Sequence, residues 1–291
     1  MGAEELPWRP LTIGELLDAA VATLRRRPVR LLLFATVLAA IEQVVLYPIR
    51  HGMFSTAHNY FSEFPDFFSE RWWTLISVGM GTEATVIAML GAVAAGPARE
   101  LLLSGVPGRS APAAPGRLRA RPIGTTILSL IVGVIAFATF WAGVIGWAFW
   151  FMFTALVTPT LINDAMLGAR ASGKPAKRLS TIGAFGRALA LVGRAGLRPG
   201  GARLLAYGAF ALMRILLAWA GLFALGQYVR VPAAVEYAIW IIVNAIMYSY
   251  LASLDATAHL ETRMRQEGLD MELGRAERLG TPIADALVVP R

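Results

Sequence analysis

The chain has 291 residues, 56% of them hydrophobic and only 16% charged, with a net charge of +8 and no cysteine. Soluble domains carry about 25% charged residues, so a soluble fold would lack the polar surface to cover this much apolar side chain. Without cysteine, a disulfide framework, a zinc–thiolate site and a thiol nucleophile are excluded.

Residues 1–28 come first. Over 11–27, Thr12 and Glu15 have capping-box spacing, and Ile13, Leu16, Leu17, Ala20, Val21 and Leu24 recur at helical steps. This predicts an amphipathic helix lying in the cytoplasmic interface, with Arg25, Arg26 and Arg27 among the headgroups. Pro28 can open the next helix, where its missing amide hydrogen costs nothing. The apolar runs then predict a membrane domain over 29–254, with spans at 29–49, 73–95, 123–142, 145–162, 204–226 and 233–254. Residues 123–162 are almost unbrokenly apolar. As one helix they would measure roughly 60 Å, twice the hydrocarbon thickness, so two spans with a reversal near Gly143–Gly146 are expected. Residues 182–197 predict a second interfacial helix, with Phe185, Leu189 and Val192 on one side. An amphipathic helix thus precedes both span one and span five, a pattern that a duplicated unit would leave. Residues 255–291 read as a polar cytoplasmic tail.

The basic residues sort by segment. Of 27 Lys and Arg, 23 fall between the N-terminus and Arg30 at the start of span one, between spans two and three, between spans four and five, or after span six. Only Arg50, Arg71 and Arg230 fall on the other side, and Arg214 lies inside span five. The positive-inside rule then places both termini in the cytoplasm. The fold class expected is all-α: a polytopic integral membrane protein with six transmembrane helices plus interfacial amphipathic helices. The basic residues flank spans, so anionic lipid accounts for them and nucleic acid is not expected.

Three stretches carry a family resemblance: Arg9-Pro10-Leu11-Thr12-Ile13-Gly14-Glu15-Leu16-Leu17-Asp18, Arg187-Ala188-Leu189-Ala190-Leu191-Val192, and Arg263-Met264-Arg265-Gln266-Glu267-Gly268-Leu269-Asp270-Met271-Glu272-Leu273. Together they resemble actinobacterial-type six-span proteins similar to the membrane domain of glycerophosphoryl diester phosphodiesterase. Catalysis in that two-domain enzyme belongs to a separate soluble barrel domain, which nothing here matches. The resemblance therefore implies the membrane part alone, as an accessory subunit or scaffold. Where such proteins often carry a glutamate after span four, this chain has Asn163-Asp164.

Four polar residues fall inside spans, where ionisable groups are costly and informative: Glu42, Glu83, Arg214 and Asn244. They fit either a buried Glu83–Arg214 pair with an interhelical amide bond from Asn244, or a polar pathway. Glu42 reads as nearer the outer end, within reach of water. Arg25, Arg26, Arg27, Arg187, Arg194, Arg198, Arg263 and Arg265 are the candidates for lipid or partner contact. Gly79, Gly81, Gly91 and Gly96 have close-packing spacing. His51, His58, Glu63, Asp66 and Glu70 are metal-capable types in an aromatic-rich outer loop, but their spacing matches no metal motif. No metal, cofactor or catalytic constellation is expected. The expected function is a non-catalytic membrane subunit or scaffold of a bacterial envelope or transporter complex, contacting lipids and protein partners or further copies of itself. A permease using the intramembrane polar set is the alternative.

Overall fold

The computed structural model describes residues 6–53, 70–104, 121–164, 166–167, 177–226 and 233–280. They form α1 (Ile13–Arg26), α2 (Pro28–Met53), α3 (Glu70–Ser104), α4 (Pro122–Ala142), α5 (Val144–Phe153), α6 (Val157–Asn163), α7 (Thr181–Arg194), α8 (Arg198–Gly226), α9 (Ala233–Glu267) and α10 (Leu269–Arg278). A two-residue antiparallel ladder, β1 (Met166–Leu167) against β2 (Lys177–Arg178), joins α6 to α7. Six stretches are long and apolar enough to cross a membrane: Pro28–Ile49, Trp72–Leu103, Pro122–Ala142, Val144–Asn163, Arg198–Leu217 and Ala234–Glu267. The protein is an all-α, multi-pass membrane protein.

Local chemistry sets the helix ends. Thr12 Oγ1 accepts from the Glu15 amide at 3.3 Å, and Glu15 Oε2 accepts from the Thr12 amide at 2.8 Å, closing the expected capping box. Arg27 is the sole break before Pro28 starts α2. Gly143, at φ 152°, takes a backbone conformation open in practice only to glycine and turns α4 into α5. The two then run side by side, with Trp150 Nε1 donating to the Val132 carbonyl at 3.0 Å. The fourth span differs from the unbroken run expected, because residues 154–156 interrupt it as a turn. Pro159 supplies the reason: it has no amide hydrogen for the Ala155 carbonyl. The Val157 amide turns instead to the Thr154 carbonyl at 3.2 Å.

The helix α9 is the axis of the molecule. It packs against α1, α2, α3 and α8, and residues 251–264 are buried on every side. At 35 residues, α3 and α9 would each measure about 52 Å, well beyond a ~30 Å hydrocarbon core. Span six therefore does not stop at residue 254. Residues 255–267, read from sequence as the start of a solvated tail, continue the helix into the protein core, because α1, α6, α7 and α10 clad that end.

The amphipathic helix α1 does not lie with its apolar face in lipid. Leu16, Ala19, Ala20 and Ala22 are buried against α9 and α3. The face of α7 carrying Ala184, Ala188, Leu191 and Val192 likewise packs inward, mostly on α6. Exposed apolar stripes lie elsewhere: Val29, Leu33, Val37, Ile41 and Val44 on α2, and Ile123, Ile127, Leu130 and Val134 on α4, are exposed at helical spacing. The order of a 14-residue helix followed by two long ones occurs twice, as 14, 26 and 35 residues in α1–α3 and 14, 29 and 35 in α7–α9.

Glycine permits two close crossings. A Cβ on Gly81 would sit 2.9 Å from the Gly133 carbonyl oxygen, and one on Gly200 would sit 2.6 Å from that of Met152. Gly91 is similarly tight against Thr158, whereas Gly79 and Gly96 face open space.

Candidate functional site

The four intramembrane polar residues, which come from α2, α3, α8 and α9, meet in one layer. Glu83 pairs with Arg214 Nη1, and its other oxygen accepts from the Tyr207 hydroxyl at 2.5 Å. Arg214 Nη1 also reaches Asn244 Oδ1 at 3.4 Å. Glu42 accepts from the Tyr248 hydroxyl at 2.8 Å and lies 3.1 Å from Thr82 Oγ1. The expectation that Glu42 meets water is corrected, because its side chain is 3% exposed and enclosed by α3 and α9. Tyr207 and Tyr248 escaped the sequence reading because tyrosine is unremarkable in an apolar run. Their hydroxyls nonetheless satisfy half of the carboxylate oxygens in the layer.

A second polar pair lies nearer the α1 end, and sequence reasoning missed it. Arg203 Nε is 3.1 Å from Asp255 Oδ1, with side chains 1% and 3% exposed. The Arg203 guanidinium stacks 3.9 Å over the Phe151 ring. Its Nη1 donates to the Phe151 carbonyl at 2.6 Å and to Thr154 Oγ1 at 3.3 Å. It thus fills the interruption between α5 and α6. Both residues sit at the edges of the expected spans, so a hydropathy window assigns them to water.

A third cluster closes the α1 end. Asp164, fully buried at the end of α6, lies 2.6 Å from Arg187 Nε, 3.1 Å from Arg263 Nη1 and 3.3 Å from His259 Nε2. Glu267 accepts from Arg187 at 2.7 and 2.8 Å and from Arg263 at 3.0 Å. Burial pushes the Asp164 carboxyl up, but His259, Arg263 and Arg187 outweigh it and hold the group below the usual carboxylate range. Burial likewise opposes the charge of Arg187, and the carboxylates of Asp164 and Glu267 restore it and raise its affinity for the proton. Asp255, His259, Arg263 and Glu267 are spaced four apart and form one face of α9. That spacing was readable, but only as a helix face, and a tail assignment hides it.

The stretches carrying the family resemblance converge at this end. Arg198 Nη2 and Arg265 Nη2 donate to the Leu11 carbonyl at 2.5 and 3.2 Å, while Arg187 binds Glu267. The Leu6 amide and Trp8 Nε1 bond the Leu101 and Leu102 carbonyls at 3.2 and 3.0 Å. Of the eight arginines expected to contact lipid or partners, Arg187, Arg198, Arg263 and Arg265 are therefore turned to internal acceptors, and Arg263 is 2% exposed. Arg26 and Arg27 are exposed but bonded to Ser104 and Glu100 at the end of α3. Arg25 and Arg194 are exposed, with no ion pair or hydrogen bond among the described residues.

Among the described residues no group of three or more His, Cys, Asp or Glu is placed to hold a metal ion. His58, Glu63 and Asp66 lie outside the described residues, as do 105–120 and the tail beyond 280. Comparison with protein-family models, curated proteins and solved structures returned no match.

Proposed function

We propose that the protein is a non-catalytic subunit or scaffold of a bacterial envelope or transporter complex, seated in the cytoplasmic membrane with both termini in the cytoplasm. The observation that carries this reading is the inward turn of its intramembrane polar groups. Glu42, Glu83, Arg214 and Asn244 engage one another or tyrosines on neighbouring helices, and Arg203 engages Asp255. Such contacts tie helices into a fixed bundle. The exposed Arg25, Arg194 and apolar stripes remain for lipids, protein partners or further copies of the chain. The likeness of 9–18, 187–192 and 263–273 to the membrane domain of glycerophosphoryl diester phosphodiesterase supports an accessory role. Orientation rests on the charge sorting.

The test is purification in mild detergent with identification of what remains bound. A stoichiometric membrane or ATPase partner is expected. A lone protein that moves a solute into liposomes would overturn the reading. Orientation is checked with single cysteines in this cysteine-free chain: Arg194→Cys should react with impermeant maleimide only in inverted vesicles, and Ala142→Cys only in intact cells.

One observation favours transport. The fourth span is discontinuous at 154–156, beside a buried arginine, and transporters build solute sites at broken helices. Solute flux abolished by Arg203→Met in a variant that still folds would select this second reading.

A further inference from the structure

The three polar layers along α9 differ in their charge balance. Arg203 matches Asp255. In the end cluster, Arg187 and Arg263 match Asp164 and Glu267. The deep layer holds two carboxylates, Glu42 and Glu83, and one guanidinium, Arg214. Arg214 is engaged by Glu83, and both contacts of Glu42 are uncharged hydroxyls. The charged and titratable groups facing Glu42 are Glu83 from α3, Arg214 and Tyr207 from α8, and Tyr248 from α9. An ionised Glu42 would leave one uncompensated negative charge in the layer, enclosed by protein and beside a like charge.

The hydrogen bonds accommodate the neutral acid without rearrangement. Thr82 Oγ1 lies 3.0 and 2.9 Å from the Val78 and Gly79 carbonyls as well as 3.1 Å from Glu42 Oε1. Its single hydrogen serves one of these acceptors. Directed to its own helix backbone, it leaves the Thr82 oxygen as acceptor for a proton on Glu42 Oε1, while Tyr248 donates to Oε2. Each oxygen of a protonated Glu42 then has a partner, and the layer is neutral.

We infer that Glu42 is a proton-binding site within the membrane: a carboxylic acid at neutral pH, held by Thr82 and Tyr248 and balanced against the Glu83–Arg214 pair. The exchange is Glu42 carboxylic acid to Glu42 carboxylate plus a proton passed to water. Arg203, Arg187 and Arg263, by contrast, each meet a carboxylate within their own layer. The inference goes beyond the scaffold reading and does not depend on it, since an intramembrane proton site serves a subunit of a proton-driven complex as well as a permease.

Infrared difference spectroscopy of the full chain in lipid vesicles, stepped between neutral and alkaline pH, tests it. The expected result is a deuterium-sensitive carboxylic-acid carbonyl band at neutral pH that is lost at alkaline pH. Glu42→Gln should remove this band and keep the helix content and unfolding temperature of the parent. Glu83→Gln should also remove it, because Glu42 then ionises to pair with Arg214. Tyr248→Phe should keep the band but shift it, which provides a readout even if Glu42→Gln does not fold. A loss of carboxylate bands alone in Glu42→Gln, an unshifted band in Tyr248→Phe, or a band that responds to sodium at fixed pH would each overturn the assignment. The last would make the site a metal-cation site.

Discussion

The deep layer around Glu83 and the end cluster around Asp164 both wrap α9, yet they balance charge differently. In the deep layer two carboxylates share one arginine, and tyrosine hydroxyls complete the bonding. In the end cluster two carboxylates and two arginines interlock, so that Asp164 alone meets Arg187, Arg263 and His259. The first arrangement leaves a carboxylate with a choice of protonation state. The second fixes its charges and joins α6, α7 and α9. A buried charge can thus hold a bundle together or remain available for chemistry, and the count of counter-charges decides which.

The comparison breaks most visibly at Asp164. Asp164→Ala leaves Arg187 and the almost fully buried Arg263 to share Glu267 alone, and should cost about 3–5 kcal/mol of stability. A large drop in the detergent unfolding temperature is the expected outcome. Glu83→Arg and Arg214→Glu should each impair assembly while the double variant recovers it, as read by yield and monodispersity. A double variant that assembles but loses a measured flux would mark the layer as a pathway. Gly200→Ala drives a Cβ into the Met152 backbone and should cost about 1–3 kcal/mol. Milder loss there would mean that the α5–α8 crossing relaxes. The smallest effect is expected at Thr12→Ala, about 1 kcal/mol for the lost cap, because α1 is also held by its packing on α9.

Acid should separate the two regions as well. The Asp164 carboxyl titrates below its ordinary value of about 4. Its stabilising contribution is therefore complete above that value and is lost as the pH falls through the lower folded-state value. Wild type should lose stability relative to Asp164→Asn only as the pH drops below about 4, a difference that denaturant titration at several pH values resolves. Glu15 follows the same sign. Hydrogen bonds from Arg9 and Thr12 hold its carboxyl down to about 2, but it is solvent-exposed and its effect should be small.

The deep layer was legible because Glu42, Glu83, Arg214 and Asn244 stand out against apolar neighbours, and the cost of burying them makes each one informative. The end cluster was obscure for the opposite reason. Asp164, His259 and Arg263 lie in polar sequence, where water is the cheapest assumption. Helix α1 shows the same limit: the 3.6-residue period identifies an apolar face but not whether lipid or protein covers it.

Hydrophobic length and backbone chemistry, both local properties, determined a helical multi-pass protein, the capping box at Thr12 and Glu15, and the turn at Gly143. Only the tertiary structure decided that α9 runs on through 255–267 as the buried axis, that Arg203 bonds the Phe151 carbonyl at the break between α5 and α6, and that the hydrogen bonds of Glu42 come from hydroxyls while Arg214 pairs with Glu83. Those outcomes depend on which distant helices converge. The free energy of a buried charge is set by neighbours in space, and a linear string does not carry them.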